Sequence, residues 1–479
     1  MIDLLFRFRC NRFAFFVLGS LFFFSQARSQ TNDTAYWEGM LDLGSSQLPI
    51  TLQEIKTADT VLLFMGSPAQ TSKWFPVSKQ KRPQDSLLFT VKPMNIVYRG
   101  QFNASKDTIR GTFKQRILKK RLTFSLTRTT FKPRRPQTPP LDNLPYETKE
   151  VSFRSDADYD FHGTLSFPSG GGKYPAVILV TGSGLQDRDE TIMEHKPFAV
   201  LADALTREGF AVLRYDDRGW GTDDSVLLNG TTYDFKNDAL AAYRFLKTQP
   251  QVLPDKISLI GHSEGGMIVA MAAAEEKNIA AVVMMAGTGV SGKEILISQT
   301  QAILTSQGVP ENMIEETLAK NKSLYDIITQ NLPRSEKEIL LRDLLSKWWE
   351  ELSPEEQKAS QTNRETFIDR LLVQSFSPWM ETFINTDPAP FLKQVSQPIL
   401  VLNGERDIQV LPDINLPAIE NALKQGGNTR YEIKRYESMN HLFQKCNTCR
   451  LDEYTLLEET LNLRVIEDIV RFLKNNLRP

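Results

Sequence analysis

Histidine and cysteine are the scarce residues of this sequence. Four histidines and three cysteines stand among 479 residues. The four-ligand set of a structural zinc site therefore has no second Cys/His pair to complete it. Phosphate-binding loops are missing as well. Gly182-x-Gly184 has Asp187 where a dinucleotide fingerprint needs its third glycine, and Lys173 after "SGGG" is followed by Tyr, not Ser or Thr. A formal net charge of −1 gives no global attraction to nucleic acid or to a membrane surface. We expect no cofactor and no metal. What remains is the composition of an ordinary globular protein, long enough for two or three domains, with ample apolar material for a large core.

The first 30 residues differ from the rest. "MIDLLFRFRCNR" carries three arginines, "FAFFVLGSLFFF" is apolar, and small residues follow at Ala27 and Ser29. The apolar run is shorter than the ~20 residues that span a bilayer. This layout reads as an export signal over 1–29, cleaved after Ser29, and places the protein in the periplasm or outside the cell. Cys446 and Cys449 then remain, in "KCNTCR". In an oxidising compartment a local disulfide pinning a loop is the expected reading, with a redox pair as the alternative.

Residues 36–130 hold short alternating segments such as "SLLFTVKP", "NIVYRGQF" and "RLTFSLTR", separated by Gly, Asn, Asp and Pro. They predict a small antiparallel β domain over 30–130. It is basic: residues 31–136 hold 18 Lys/Arg against 7 Asp/Glu. Solvated outer strand faces account for such charge, and contact with an anionic envelope or polysaccharide is the functional alternative. "FKPRRPQTPPLDNLPYE" (131–147), with five prolines, reads as a stiff linker.

Beyond 148 the pattern changes. Buried runs such as "YPAVILV", "FAVLRY", "KISLIG", "IAAVVMM" and "QPILVLNG" alternate with helical segments. This predicts an α/β, doubly wound, mostly parallel sheet. The alternation stops between about 291 and 390, where charged helical sequence suggests a cap over the carboxyl edge of the sheet. Trp348 and Trp349 in that cap are expected to pack against their neighbours.

One pentapeptide stands out. Gly261-His262-Ser263-Glu264-Gly265 fits Gly-x-Ser-x-Gly, a match that chance alone supplies in roughly one chain of this length in six. Its context is more specific than its letters. Ser263 follows the strand "KISLI" and opens the helix "MIVAMAAAEE", as a nucleophile on a tight strand-to-helix turn requires. A serine needs a base, and on such a scaffold the chain order is Ser, then Asp or Glu, then His. Only His441 lies downstream. The acid should follow the penultimate strand, where "NGERDIQV" offers Asp407, with Glu405 as a weaker choice. Backbone donors for an oxyanion are expected from Glu264, after the nucleophile, and from Ser183 in the loop "VTGSGLQDRDE". Asp187, Arg188, Asp189, Asp217 and Arg218 near the same edge read as structural ion pairs, with substrate contact as the alternative.

Five blocks, "GSGLQDRDE", "YDDRGWG", "GHSEGG", "SPWMETFINTDPAPFLKQVSQPILVLNGERDIQV" and "MNHLF", resemble, in order, the signature blocks of one group within the α/β-hydrolase superfamily. In particular, residues 150–479 resemble exported bacterial carboxylesterases related to serine-aminopeptidase-like hydrolases. The segment beginning "YWEGMLDLG" resembles that group's accessory β module. The resemblance implies a serine esterase acting on a small-molecule ester, with Ser263, Asp407 and His441 as catalytic triad. An aminopeptidase or amide hydrolase using the same triad, and a non-catalytic envelope-binding protein, are the competing readings. Thr181 departs from the pattern, standing where many relatives have His before the oxyanion glycine, and the "CNTC" segment has no counterpart in it.

Overall fold

The computed structural model describes residues 33–477, apart from 43–46, 57–59, 69–70, 82–84, 116–120, 131–135, 141–143, 222–229 and 361. The expected export signal and part of the proline-rich segment lie outside the described residues. The chain forms two compact units. One comprises Pro136–Arg450 with Leu457–Pro479, and the other extends to Arg135 and includes Leu451–Leu456.

The N-terminal unit contains β1 (Asp33–Asp42), β2 (Gln47–Lys56), β3 (Val61–Ser67), β4 (Thr71–Pro76) and β5 (Lys79–Lys81). It continues with β6 (Ser86–Val91), β7 (Ile96–Phe102), β8 (Thr108–Gln115) and β9 (Leu122–Thr129). They form one antiparallel sheet in the order β4-β3-β2-β1-β9-β8-β7-β6-β5. Two-residue alternation explains its core: Leu87, Phe89 and Val91 of β6 turn inward with Tyr98, Ile109, Phe113, Phe124 and Leu126. The buried Tyr98 hydroxyl donates to the carbonyls of Ile109 and Phe124. Arg99, Arg110, Lys114 and Arg128 occupy intervening exposed positions of the strands.

The larger unit is built on an eight-stranded sheet of β10 (Tyr146–Arg154), β11 (Asp160–Pro168), β12 (Tyr174–Val180), β13 (Ala211–Tyr215), β14 (Val252–His262), β15 (Val282–Met285), β16 (Ile399–Gly404) and β17 (Tyr431–Tyr436). Its order is β10-β11-β13-β12-β14-β15-β16-β17. The first two pairings are antiparallel and the remaining five parallel. Apolar strand residues alternate between two cores. On one face Val177, Leu179 and Ile260 pack against α1 (Pro197–Arg207) and the C-terminal helix Leu463–Leu477. On the other, Ile178, Val180 and Leu259 meet α2 (Thr232–Lys247), α3 (Glu264–Glu275) and the helix Pro412–Gln425. Strands buried on both faces explain the continuous Val/Ile/Leu runs.

Between β15 and β16 the chain enters the helical insertion: α4 (Gly292–Ser306), α5 (Glu311–Ile328), α6 (Arg334–Glu351), α7 (Pro354–Ala359), α8 (Arg364–Ser375), α9 (Pro378–Asn385) and α10 (Ala389–Leu392). A capping box starts α4, in which Ser291 accepts from the Glu294 amide and Glu294 accepts from the Ser291 amide. Trp348 and Trp349 are buried in the insertion, the latter tilted on Phe367 with ring centres 5.2 Å apart.

The charged loops at the sheet edge are paired. Arg188 forms a fork onto Asp216, and Asp189 accepts from Lys196 and Arg214. Asp187 holds the Thr191 amide and hydroxyl. Arg218, after β13, reaches Asp238 on α2 through two hydrogen bonds of 2.7 and 2.6 Å. Burial pushes the Asp238 carboxyl up to about 6, even though Arg218 pulls it down. Truncating one partner of such a pair strands a buried charge. Arg218→Ala is therefore expected to lower unfolding stability by about 3–5 kcal/mol in urea titration, and an unchanged midpoint would show that the pair is not buried as described.

Candidate active site

The strand β14 ends at His262 and α3 begins at Glu264, so a single residue, Ser263, makes the turn between them. Its backbone has φ 56° and ψ −120°, a conformation that costs a non-glycine residue on the order of 1–3 kcal/mol. Close backbone packing holds it there. A Cβ at Gly261 would lie 2.0 Å from the Gly265 carbonyl oxygen, and one at Gly265 would lie 2.3 Å from that of Val180. Both glycines of the pentapeptide are therefore required by the turn itself. The Ser263 amide donates to Met285 at the end of β15, and the Ser263 carbonyl accepts from Gly266.

Asp407 and His441 come from the loops after β16 and β17. His441 Nδ1 lies 2.7 Å from Asp407 Oδ2, and both side chains are buried. The other carboxylate oxygen, Oδ1, accepts from the amides of Gln409 and Val410. Glu405, the weaker choice, is exposed. The two loops are braced against each other: the Arg406 amide donates to the Met439 carbonyl and its guanidinium to the Asn447 carbonyl. Asn440, buried beside His441, accepts from the amides of Leu442 and Gln444. Cys446 and Cys449 form a disulfide directly after this segment, so the "CNTC" stretch is a stapled turn.

His262 brings the His441 loop to the nucleophile turn. The two imidazole rings are 4.7 Å apart between centres, and His262 Nε2 lies 3.0 Å from the His441 carbonyl oxygen. His262 Nδ1 lies 2.9 Å from Glu190 Oε1, which also accepts from the Gly182 amide at 3.0 Å. Both ring nitrogens thus face acceptors, a pattern only the doubly protonated ring satisfies, and we assign His262 as an imidazolium on that basis. Burial opposes the charge, but the Glu190 carboxylate and the two hydrogen bonds outweigh it and raise the pKa above the ordinary value. Glu190 itself adopts a positive φ of 52° to reach this position.

The loop after β12 lies against Ser263. A Cβ on Gly182 would be 3.0 Å from the Ser263 Cβ. Thr181 anchors this loop by donating to Asp217, so the residue that departs from the family pattern has a structural task. The Gly182 amide is taken by Glu190, whereas the amides of Ser183 and Glu264 meet no protein acceptor among the described residues. Glu264 occupies the first position of α3, where a helix leaves its N–H groups unpaired. Its carboxylate is buried, and accepts from the hydroxyls of Ser183 and Thr232 and from the Trp379 indole. Burial pushes this carboxyl up, and the three hydrogen bonds pull it back only in part. An apolar cluster borders the turn, with Met267 and Met271 of α3, Ile295, Phe383 and Val410, and the half-buried Leu296, Trp379 and Phe391.

Sequence reasoning did not single out Glu190, Thr232 or Trp379, nor any partner for His262. Glu190 and Trp379 do lie inside two of the recognised blocks, "GSGLQDRDE" and "SPWMETFINTDPAP", which was the available signal.

A histidine pKa raised by folding stabilises the folded state below its ordinary value, and that stabilisation is lost as pH rises through the raised one. His262 is therefore expected to titrate above 6.5 in an NMR experiment. In Glu190→Gln, burial is left without its counter-charge and the titration should fall below that value. Identical titrations in the two proteins would refute the imidazolium assignment.

The chain is similar to several known proteins. The family model for serine aminopeptidase, S33, matches residues 192–445. Esterase EstD of Thermotoga maritima is 27% identical over 334 residues, covering 70% of this chain and 69% of that protein. A 2-hydroxy-6-oxononadienedioate/2-hydroxy-6-oxononatrienedioate hydrolase of Klebsiella pneumoniae is also 27% identical, over 46% of this chain and 68% of its own length. Among solved structures, an esterase of Pyrococcus furiosus covers 73% of this chain and all of its own, at 15% identity and a TM-score of 0.41. The chain is a hydrolase of the α/β type and belongs to the serine aminopeptidase S33 family.

Proposed function

We propose that the protein is a serine esterase that cleaves carboxylic esters through an acyl-enzyme on Ser263. His441 takes the Ser263 proton during attack on the acyl carbonyl and returns it to the departing alcohol. Asp407 holds the His441 ring in one tautomer and stabilises the imidazolium formed in that step. The oxyanion is met by the amides of Ser183 and Glu264. Water, activated by the same imidazole, then releases the acid. The observation that carries this reading is the buried 2.7 Å contact between Asp407 and His441, on a loop bonded to the residue beside a strained serine.

Ester is favoured over aminoacyl amide by the carboxylates around the oxyanion loop among the described residues. An aminopeptidase needs a carboxylate open to a substrate ammonium group. Around the oxyanion loop Asp187, Asp189, Asp216, Asp217, Asp238, Glu190 and Glu264 are already engaged by protein donors. Likeness to an esterase points the same way. Export through the N-terminal segment is part of the same proposal, since it would suit the Cys446–Cys449 disulfide.

Ser263→Ala is expected to lower turnover of p-nitrophenyl acyl esters by roughly 10⁴-fold or more, and Asp407→Asn by about 10⁴-fold. A fluorophosphonate probe should label the wild type at Ser263 and leave Ser263→Ala unlabelled. Higher kcat/KM on aminoacyl amides than on acyl esters would transfer the assignment to an aminopeptidase. Failure of the probe to label the folded wild type would favour a non-catalytic protein.

A further inference from the structure

The proposed reaction uses only the main-chain N–H of Glu264, yet its carboxylate is buried and held by several side chains. It is 1% exposed and accepts from three separate parts of the fold. Ser183 Oγ donates to Oε2 at 2.6 Å, from the oxyanion loop. Thr232 Oγ1 donates to Oε1 at 2.8 Å, from the first turn of α2. Trp379 Nε1 lies 3.0 Å from Oε2 and 3.2 Å from Oε1, from α9 of the helical insertion. Burying a carboxylate is costly unless donors replace its water shell, and here all the donors are side chains whose own positions are thereby fixed.

Resting on the esterase reading, we propose that the Glu264 carboxylate is a positioning group that sets the oxyanion hole and makes it depend on the seating of the cap. The two amides assigned to the oxyanion belong to Ser183 and Glu264, and the side chains of these same residues are bonded to each other. The 2.6 Å tether fixes the Ser183 peptide relative to the first turn of α3, and so fixes the angle between the two donors. The indole of Trp379 supplies the third hydrogen bond. Its ring stacks on Phe383, with centres 5.1 Å apart, and both belong to the apolar cluster that includes Met267 and Val410. A displaced α9 removes an indole donor from the carboxylate and loosens the Ser183 tether. A seated α9 completes it. Thr232 holds the other carboxylate oxygen from the domain's own framework, so the cap contributes one share of the positioning and not all of it.

Oxyanion donors act because they are already aimed before charge develops. Losing a tether therefore lowers kcat more than it raises KM. The test is steady-state kinetics on a p-nitrophenyl acyl ester, with rates normalised to active sites counted by fluorophosphonate labelling. Ser183→Ala keeps its amide and loses only its hydroxyl. Trp379→Phe keeps an aromatic ring against Phe383 but loses the N–H together with the pyrrole half of the indole. Each is expected to lower kcat by roughly 10–100-fold, less than the ~10²–10³ lost when a donor is deleted outright, with KM changed by no more than about three-fold. Glu264→Gln keeps an acceptor oxygen and should retain more activity than Glu264→Ala. The decisive measurement is the cycle: in Glu264→Ala, adding Trp379→Phe or Ser183→Ala should lower kcat no further. Trp349→Phe, a buried cap tryptophan away from this carboxylate, should leave kcat unchanged. Full additivity in the cycle, or an unaltered kcat in both Ser183→Ala and Trp379→Phe, overturns the proposal while leaving the esterase reading intact. Loss of probe labelling in the wild type would instead remove the reading on which the proposal rests.

Discussion

One strained residue organises the larger unit. Ser263 holds φ 56° and ψ −120° between a central strand and a helix, and nothing in its own side chain favours that conformation. The surroundings over-determine it. A Cβ on Gly265 would strike the carbonyls of Val180, the last residue of β12, and of Thr181 just beyond it, the Ser263 amide is captured by Met285 of β15, and Gly266 packs against Gly287. Both neighbouring strands must therefore end at the same level as β14. That shared edge is where the loops carrying Ser183, Asp407 and His441 emerge. The turn also places the N-terminus of α3, with its unpaired N–H groups and positive dipole end, beside the serine hydroxyl.

Around this turn, charge serves position. Three buried carboxylates, Asp407, Glu190 and Glu264, belong to the proposed machinery or bond to residues next to it, and each binds elements that are distant in sequence. Asp407 joins the loop after β16 to the loop after β17. Glu190 ties the oxyanion loop to His262, whose other nitrogen holds the His441 carbonyl. Glu264 gathers the oxyanion loop, α2 and the cap. In a poorly solvated interior such contacts are strong when complete and costly when one partner is removed. The site is thus a set of loops, each fixed at several points by ionic hydrogen bonds, resting on a sheet whose own packing is almost wholly apolar.

The loop bearing His441 illustrates how local and long-range constraints combine. Asn440 closes a tight turn on Leu442 and Gln444, and the disulfide closes a second turn a few residues on. Neither reaches the nucleophile. His262 and Arg406 supply the long-range part, one from β14 and one from the residue before Asp407.

The sequence alone determined the features that depend on neighbours a few residues away. The alternation of β6, the two-faced apolar runs of β12, β14 and β16, and the Gly-x-Ser-x-Gly turn were all legible, because strand pleat and turn sterics are set locally. The scarcity of histidine singled out His441 as the proposed base, since only one histidine lies downstream of Ser263. Tertiary structure alone decided how the buried charges are matched. Nothing in the local sequence around Glu190, Thr232 or Trp379 pointed to their partners. Glu264 was read for its amide and not for its carboxylate. Their partners lie 72, 32, 115 and 81 residues away along the chain. No periodicity spans such distances; only the closing of loops over a common sheet edge brings these groups within hydrogen-bonding reach.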